Sequence, residues 1–343
     1  MTDSVAVGMR AVEIHGGFGL DHLALVERPA PRPGHRQALV RVRAASLNFR
    51  DLLMAEGRYN PKQKLPLIPC SDGAGEVLAV GEGTTRVRPG DRVCGIFAQG
   101  WLAGGPSRDM VRTTLGGPLD GMLAEQVTLS EDGLVKTPDH LSDVEAATLP
   151  CAAVTAWSSL VEGGLEAGES VLLLGTGGVS IFALQLAVLA GARAIITSSS
   201  DEKLARAREL GAAAGINYRE VPEWGARVKE LTGGEGVDYV LEVGGAATLR
   251  QSLQAVKVGG SIYLIGVLGG SNAEVSIPAI QMRQVRLQGV LVGSRASFEA
   301  LNRAVSLHRL RPVVDSAFPL AEARAAFEHM AAGAHFGKIC IQL

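Results

Sequence analysis

Cysteine is scarce in this chain, and its distribution excludes a disulfide framework. The four cysteines among the 343 residues stand at positions 70, 94, 151 and 340, without a Cys-x-x-Cys pair. Folds that depend on disulfides carry many cysteines at short, recurring spacings. We therefore expect a reduced protein of the cytoplasm.

Strong net charge and long apolar runs are also missing. The formal net charge is −2 and no stretch is strongly basic, so the sequence favours no nucleic-acid partner. No apolar run has the length of a membrane span, because Gln185 and Arg193 interrupt the longest candidate. Residues 1–5 lack the pattern of a secretory signal. These absences predict no membrane association and a cytoplasmic location.

Glycine, by contrast, is abundant but follows no period. Its 43 occurrences therefore indicate turns rather than a fibrous or low-complexity chain. A hydrophobic fraction of 47% is sufficient for sizeable cores, and 343 residues favour two domains.

The most informative segment is a glycine-rich turn between an apolar strand and a helix. The strand pattern covers residues 171–174, the helical pattern covers 181–192, and a second strand pattern follows at 194–197. Such a βαβ unit brings backbone amides and the positive end of a helix dipole to the pyrophosphate of a dinucleotide. Ser180 replaces the third glycine of the fingerprint and is small enough to keep helix and strand close. The residues expected to bind the cofactor in this turn are Gly175, Gly177, Gly178 and Val179.

The alternative is an ordinary strand–helix turn without a ligand. If a dinucleotide binds, the end of the second strand indicates which one. NAD sites usually carry an acidic residue there, about 20 residues after the glycines. This chain has hydroxyl side chains, including Ser198 and Ser199, and Lys203 lies within reach of a 2′-phosphate. We predict NADPH, although the serines could serve only as caps, with Ser200 as N-cap of a helix beginning at Asp201.

The order of strand and helix patterns divides the chain. The first part is rich in strand patterns, such as residues 38–43 and 123–129, and contains a Gly/Pro-rich loop at 97–122. A capping box of Ser142 and Glu145 then marks a change to alternating strands and helices, which is typical of a parallel sheet with helices on both faces. The predicted strands are 171–175, 194–198, 236–243, 260–266 and 285–292; the helices are 181–192, 201–210, 222–232, 246–256, 298–309 and 321–332; a last strand is 338–343.

Several short motifs, by their order and spacing, resemble those of the medium-chain dehydrogenase/reductase superfamily over nearly the whole chain. The matching segments are Ser46–Asp51, Pro69–Gly75, Pro89–Val93, Leu149–Trp157, the Gly175 turn, Glu209–Ala212 and Gly337–Ile339. The resemblance implies an α/β fold with two domains. A Rossmann domain with a doubly wound parallel sheet would bind NADP(H) at residues 146–295. A GroES-like β-barrel domain would hold the substrate and comprise residues 1–145 and 296–343.

The chain departs from the zinc alcohol dehydrogenases of that superfamily at the metal ligands. Asn48 and Ser71 stand where a cysteine and a histidine are expected, and only Cys151 matches the third ligand. An amide, a hydroxyl and one thiol are a poor donor set for Zn²⁺, although Asp51 and Asp72 are carboxylates close by. No cysteine lies between residues 95 and 150, so the four-cysteine structural zinc site is missing too. The sequence therefore predicts no metal and resembles the zinc-independent quinone oxidoreductases and enoyl reductases.

Without zinc, a conjugated acceptor is the easier substrate for a hydride, because the developing charge spreads to a more distant oxygen. The resemblance implies that the Asn48 amide donates to that oxygen, unless it only stabilises a turn. Tyr59 is the best proton donor to the α-carbon, because a phenol carries a proton with a pKa near 10, unless it is a packing aromatic. Asp51 matches a position that the family retains, and a buried hydrogen-bonding role is expected for it.

The resemblance also implies further contacts with the cofactor. Thr155 matches the position that contacts the nicotinamide carboxamide, and Tyr218 the position beside the adenosine phosphate. Gly266 and Lys338 are expected to reach the cofactor as well. Cys151 is expected to pack below the nicotinamide rather than to act as a nucleophile.

Two features predict partners. Residues 285–292 resemble the edge strand through which family members extend their sheets across a dimer, so we expect a homodimer, unless this is an internal strand. The loop at 97–122, with Phe97, Trp101, Met110 and Met122, predicts an apolar pocket for a small hydrophobic acceptor. Two other functions stay open: an alcohol dehydrogenase acting on secondary alcohols or ketones, and a non-catalytic NADPH-binding protein.

Overall fold

A computed structural model describes residues 8–343, which form two compact units. Unit 1 contains the described residues up to Val154 together with Gly293–Leu343, and unit 2 is Thr155–Val292. Residues 1–7 lie outside the described part, and with them the segment examined for a secretory signal and the start of the domain predicted at 1–145. The domain boundaries predicted from the sequence stay predictions.

Strands alternate with short helices along both units. The strands are β1 Gly8–Ile14, β2 Leu23–Pro29, β3 Gln37–Ser46, β4 Asp72–Val80, β5 Arg92–Gly95, β6 Gln126–Ser130, β7 Leu134–Lys136, β8 Ser170–Leu173, β9 Arg193–Ser198, β10 Ala214–Asn217, β11 Val237–Glu242, β12 Val256–Leu264, β13 Arg286–Gly289, β14 Val314–Pro319 and β15 Lys338–Gln342. The helices are α1 Phe49–Ala55, α2 Asp143–Ala147, α3 Val154–Leu160, α4 Gly178–Leu189, α5 Asp201–Glu209, α6 Trp224–Leu231, α7 Leu249–Ala255, α8 Ile277–Gln281, α9 Arg295–His308 and α10 Ala323–Ala331. No helix within residues 8–343 is long and apolar enough to cross a membrane.

Unit 1 has the GroES-like architecture, and its sheet contains strands from both parts of the chain. The strand order is β14-β15-β3-β4-β5-β7, with β6 paired to β3 and a separate hairpin of β1 and β2. β15 pairs antiparallel with β3, with Cys340 opposite Ser46. The last strand of the chain therefore lies in the same sheet as β3, and this register carries Lys338 to the end of β3.

Unit 2 is a Rossmann domain. Its six parallel strands have the order β10-β9-β8-β11-β12-β13, the doubly wound arrangement predicted from the sequence. The predicted set of five strands was incomplete, because β10 was missed. Its sequence Ala-Gly-Ile-Asn buries only Ile216 and offers no alternation of apolar and polar residues. The strand predicted at 285–292 is confined to Arg286–Gly289 and lies at the edge of the sheet.

Three large side chains of the loop at residues 97–122 are buried in unit 1. Phe97, Met110 and Met122 are 2%, 6% and 1% exposed, so these side chains do not line an accessible surface. Met122 also packs against Gly73, where a Cβ would approach it to 2.7 Å. These three side chains therefore have little solvent-accessible surface, and the apolar pocket predicted for this loop stays a prediction.

Candidate active site

In unit 2, the glycine-rich turn has the geometry of an anion site at a helix N-terminus. Gly175 has φ +72°, a conformation that favours glycine, and Gly177 is the N-cap of the 12-residue helix α4. A Cβ at either position would meet no atom within 4 Å, so the backbone faces open space. The first N–H groups of a helix have no intrahelical partner and point at such a space. Gly178 and Val179 lie in that first turn, and the arrangement fits a dinucleotide pyrophosphate.

Ser180 explains how the fingerprint functions without its third glycine. Its Oγ donates a hydrogen bond to the carbonyl of Leu174 at 2.7 Å, and the side chain is 2% exposed. The Gly175 N–H donates to Thr197 Oγ1 at 3.2 Å, which ties the turn to the end of β9. The hydroxyl side chain thus joins α4 to the strand before it.

The end of β9 carries hydroxyl groups and no acidic side chain. Ser200 is the N-cap of α5 and accepts the N–H of Lys203 at 3.3 Å, so the predicted cap is confirmed. Asp201 points its carboxylate at the Asn217 amide, 3.0 Å away. Tyr218 donates its N–H to the carbonyl of Ser198, and its side chain is 42% exposed.

The remaining hydroxyl and lysine of this region, Ser199 and Lys203, are half-buried. Thr155 of α3 is buried, and its carbonyl accepts a hydrogen bond from Ser159 Oγ at 2.8 Å. Whether any of these residues contacts a cofactor stays a prediction.

Glu242, at the carboxyl end of β11, is a buried residue of this region that the sequence pattern did not reveal. Its carboxylate accepts the N–H groups of Gly244 and Gly245 at 2.8 and 2.9 Å, and the hydroxyls of Thr248 and Ser252. Its own carbonyl accepts the N–H of Gly266 at 3.2 Å. Glu242 therefore fixes the loops that follow β11 and β12.

Gly266 is required by the packing of these loops. A Cβ at this position would approach the carbonyl oxygen of Val243 to 2.5 Å. The close approach of two backbones thus accounts for the glycine, and the cofactor contact expected for it stays a prediction.

In unit 1, Asn48 begins the helix that follows β3. It is the N-cap of α1, and its N–H donates to the Asp51 carboxylate at 2.9 Å. Asp51 is fully buried, and burial raises the pKa of its carboxyl to about 6 against the lowering influence of Arg50. Asp51 therefore caps α1 in the buried hydrogen-bonding position expected for it, and a catalytic role stays a prediction.

Asp72, the first residue of β4, is the centre of a buried polar cluster. Its two carboxylate oxygens accept the Ser71 hydroxyl at 2.8 Å and the Cys151 N–H at 3.1 Å. Ser71 Oγ in turn accepts the Asn48 amide at 3.3 Å. Burial raises the pKa of Asp72, while the Lys338 ammonium and these hydrogen bonds act to lower it. The three positions matched to zinc ligands, Asn48, Ser71 and Cys151, are thus brought together around one carboxylate.

Lys338 supplies the positive charge of this cluster. Its side chain is 3% exposed, and its Nζ donates to Asn48 Oδ1 at 2.5 Å and to the Leu47 carbonyl at 2.6 Å. The same nitrogen lies 3.9 Å from Asp72. Within unit 1 these oxygens engage the ammonium, and the cofactor contact predicted for Lys338 stays a prediction.

Backbone strain adjoins the cluster. Cys70 has φ +70°, a conformation that costs a residue with a side chain about 1–3 kcal/mol. Its buried carbonyl accepts the Met122 N–H at 2.8 Å, which helps to hold the strained backbone directly before Ser71. Cys151 lies in a π-helical turn, Leu149–Ala153, and burial raises the pKa of its thiol, so the sulfur stays protonated near neutral pH.

Tyr59 stands at an accessible place beside a cation. Its ring is 45% exposed, and the guanidinium of Arg50 lies 5.0 Å from the ring centroid. Phe97 packs on the same guanidinium at 4.9 Å, and the guanidinium donates to the carbonyls of Leu115 and Gly117. Arg50 therefore holds the Tyr59 ring by a cation–π contact, a relationship that the sequence spacing did not reveal.

The donor chemistry of the cluster does not suit a transition metal. Among residues 8–343, no group of three or more His, Cys, Asp and Glu side chains is placed to hold a metal ion. The cluster offers an amide, a hydroxyl, a protonated thiol and one carboxylate that already faces an ammonium. Zn²⁺ requires thiolate, imidazole or carboxylate ligands in a tetrahedral set.

Comparison with known proteins identifies both units. Residues 34–139 match the alcohol dehydrogenase GroES-like domain, and residues 178–306 match the zinc-binding dehydrogenase domain. A zinc-type alcohol dehydrogenase-like protein of Schizosaccharomyces pombe is 40% identical over 95% of this chain and 96% of its own. Acryloyl-coenzyme A reductase of Metallosphaera sedula is 30% identical over 97% of this chain and 99% of its own.

A solved structure of a provisionally named alcohol dehydrogenase from Sinorhizobium meliloti 1021 is also similar. It is 43% identical, covers 98% of this chain and 99% of its own, and superposes with a TM-score of 0.90.

Proposed function

The chain belongs to the medium-chain dehydrogenase/reductase superfamily of NAD(P)-dependent oxidoreductases, and we propose that it is a metal-independent, NADPH-dependent reductase of a conjugated acceptor. The acceptor would be a quinone or an α,β-unsaturated carbonyl compound. The observation that carries the proposal is the buried cluster of Asn48, Ser71, Asp72 and Lys338. Two of these residues, Asn48 and Ser71, stand at positions matched to zinc ligands, and hydrogen bonds link them to the Asp72 carboxylate and the Lys338 ammonium.

Zinc does not fit this cluster, although the family description names it. One candidate ligand is an amide whose oxygen accepts from Lys338, and another is a hydroxyl that donates to Asp72. The thiol of Cys151 would have to lose its proton against the effect of burial. No step of the proposed reaction therefore depends on a metal.

The proposed reaction divides between a hydride and a proton. NADPH supplies the hydride to the β-carbon when it is bound. The Asn48 amide donates a hydrogen bond to the oxygen on which negative charge develops, a contribution of roughly 3–4 kcal/mol when such donors are preorganised. The Tyr59 hydroxyl, at its accessible place beside Arg50, gives the proton to the α-carbon. This chemistry requires a conjugated acceptor, in which the negative charge that develops is delocalised between carbon and oxygen.

A second candidate function is supported by the relatives. Two of the three proteins compared above carry alcohol dehydrogenase names. In that function the hydride would pass to the carbonyl carbon of a ketone. Asn48 would donate a hydrogen bond to the carbonyl oxygen, and Tyr59 would give its proton to that oxygen. Acryloyl-coenzyme A reductase, the third relative, carries the name of an enzyme of conjugated acceptors.

One experiment separates these functions. The protein is treated with a chelator, its metal content is measured, and NADPH oxidation is followed with a medium-chain enone and with the saturated ketone of equal length. A saturated C=C bond in the product, without metal, supports the proposal. Turnover of the ketone that requires added zinc supports the second candidate. Tight NADPH binding without turnover of either compound would indicate that the chain is a non-catalytic NADPH-binding protein.

NADPH is preferred in this proposal because the end of β9 carries no carboxylate toward a 2′-phosphate. Ser198 and Ser199 offer hydroxyls, and Asp201 is engaged by Asn217. Tyr218 presents an exposed ring next to this strand end. The relative affinity of the chain for NADPH and NADH, measured by fluorescence titration, tests this choice.

We also propose a small hydrophobic acceptor and a homodimer. For the dimer, β13 has one hydrogen-bonded neighbour, β12, and so presents an edge on which a second copy could continue the sheet. Light scattering during size-exclusion chromatography gives the mass, and a monomer at micromolar concentration would contradict the proposal.

A further inference from the structure

We infer that Lys338 is a positioning residue that acts through Asn48: its buried ammonium fixes and polarises the amide that receives the acceptor's oxygen. This inference rests on the proposed function for its consequence in catalysis, but not for the cation site itself. The site consists of three oxygen atoms around one nitrogen.

The ammonium is held as a cation in a cradle of oxygens. Its nitrogen contacts Asn48 Oδ1 at 2.5 Å, the Leu47 carbonyl at 2.6 Å and Asp72 at 3.9 Å. Two of the three N–H donors of the ammonium thus have an oxygen within hydrogen-bond distance, and the Asp72 carboxylate balances the charge from 3.9 Å. A charge that is 3% exposed is stable only with such partners, because desolvation is costly.

The backbone before Lys338 places it in this cradle. Gly337 has φ +85°, and a Cβ there would approach the carbonyl oxygen of Val313 to 2.4 Å. The Lys338 N–H donates to that same carbonyl at 3.0 Å. Because β15 pairs with β3, the lysine is fixed beneath the point where β3 leads into α1. β15 also pairs with β14, where Val314 lies opposite Lys338, so two strand registers set the position of the lysine.

The ammonium decides which way the Asn48 amide points. With Oδ1 facing Nζ, the Nδ2 group faces Ser71 Oγ at 3.3 Å. The reverse orientation would place an amide N–H₂ against an ammonium and leave two donors in contact. The bond to a charged donor also withdraws electrons from the amide, which strengthens hydrogen bonds donated by Nδ2.

The cluster thus carries a fixed positive charge in direct contact with the amide that is proposed to bind the acceptor's oxygen. Its charge is supplied by the chain itself, and two of its three oxygens, an amide oxygen and a backbone carbonyl, are poor ligands for Zn²⁺ but suitable partners for an ammonium. The inference therefore predicts that the cradle keeps its preference for an alkylammonium ion after the lysine side chain is removed.

The test compares Lys338→Ala with Lys338→Met. The alanine variant leaves space for the three carbons and the nitrogen of propylammonium, whereas methionine fills that space without a charge. With the enone, kcat is expected to fall about 100-fold in both variants, the effect of losing an oriented donor. Added propylammonium should restore kcat at least 10-fold in Lys338→Ala and not in Lys338→Met.

A second measurement does not need turnover. Propylammonium chloride should raise the melting temperature of Lys338→Ala above that in sodium chloride at equal ionic strength, because it binds only the folded cradle. The same salt should leave the melting temperatures of the wild type and of Lys257→Ala unchanged. Lys257 is the matched control because it forms an ion pair with Asp238 at the surface of unit 2. If the wild type does not reduce enones but this shift occurs, the proposed function fails and the cation site stands.

Three results would overturn the inference: wild-type kcat in Lys338→Met, equal rescue by sodium chloride, or no thermal response of folded Lys338→Ala. If Lys338→Ala does not fold, the Asp72→Asn/Lys338→Met variant removes both charges of the pair. That variant should fold and reduce the enone about 100-fold more slowly than the wild type. Wild-type turnover by it would contradict the role of the ammonium.

Discussion

The Asp51 carboxylate accepts the backbone N–H of Asn48 at 2.9 Å, and both residues are buried. A carboxyl thus caps the helix that begins at the residue proposed to bind the acceptor. Its proton equilibrium therefore affects both the stability of α1 and the position of Asn48. This relationship leads to the first prediction.

Asp51 should make the protein less stable as the pH rises from about 4 to 6. Its pKa is raised from 3.8 to about 6 in the folded state, so the folded state holds the proton over this range and the unfolded chain does not. The loss is on the order of 3 kcal/mol. Urea unfolding of the wild type and Asp51→Asn across this range measures it. The free energy of unfolding of the wild type, minus that of Asp51→Asn, should fall as the pH rises from about 4 to 6. A difference that does not change with pH would contradict the shifted pKa.

Glu131 should have the opposite effect. Its carboxylate accepts the N–H groups of Thr85 and Arg86, which, with Arg36, lower its pKa from 4.5 to about 2. The stability that it contributes is therefore present above pH 4.5 and lost as the pH falls to 2. Glu131→Gln should lose stability at neutral pH and approach the wild type in acid. A difference that grows on acidification would show that the carboxylate is not held in this way.

Ser199→Asp should exchange the cofactor preference. A carboxylate at the end of β9 repels a 2′-phosphate and accepts hydrogen bonds from ribose hydroxyls. We expect the Kd for NADPH to rise at least 10-fold and that for NADH to fall. Ser199→Ala is the matched control and should weaken NADPH binding less than the aspartate does. Unchanged affinities in the aspartate variant would place the 2′-phosphate elsewhere.

Tyr59→Phe should reduce kcat for the enone about 100-fold, the lower range for loss of a general acid, with little change in KM. The phenylalanine ring keeps the contact with Arg50, so the structure should be retained. Tyr239→Phe is the control: that hydroxyl donates to the Gly164 carbonyl in unit 2, and its loss should leave kcat unchanged. Equal rates for the wild type and Tyr59→Phe would exclude Tyr59 as the proton donor.

Glu242→Gln should weaken cofactor binding and lower the unfolding free energy by about 2 kcal/mol. Two backbone N–H groups and two hydroxyls donate to the carboxylate of Glu242. The amide of glutamine has only one oxygen to accept them, so at least one buried donor loses its partner. Calorimetry and NADPH titration give the two quantities. Glu230→Gln, a substitution at an exposed position, serves as the control. If Glu242→Gln is destabilised but binds NADPH as tightly as the wild type, Glu242 contributes to folding and not to cofactor binding.

Local signals in the sequence were sufficient for unit 2. The glycine turn, the Ser200 cap and the Ser142–Glu145 capping box each depend on residues within a few positions, and the structure confirms the two caps. The strand β10 was missed because its short, mixed sequence is placed by tertiary contacts rather than by its own pattern.

The candidate site in unit 1 could be predicted only in part. Asn48, Ser71 and Cys151 were matched as positions, but their common partner Asp72 and the ammonium of Lys338 depend on contacts between distant strands. Lys338 and Asn48 are 290 residues apart, and nothing in either local sequence indicates the other. The Phe97 contact with Arg50 is of the same kind, since it joins a loop to a helix.

The position of β15 inside the sheet of unit 1 also orders events during synthesis. Unit 2 is complete once Val292 has been made, whereas the sheet of unit 1 cannot close until the ribosome has added residues through Gln342. At ~5–20 residues per second this delay lasts roughly 3–10 s. During that time β3 lacks one neighbour, and the nascent chain exposes a strand edge on which chaperones or another nascent chain could act.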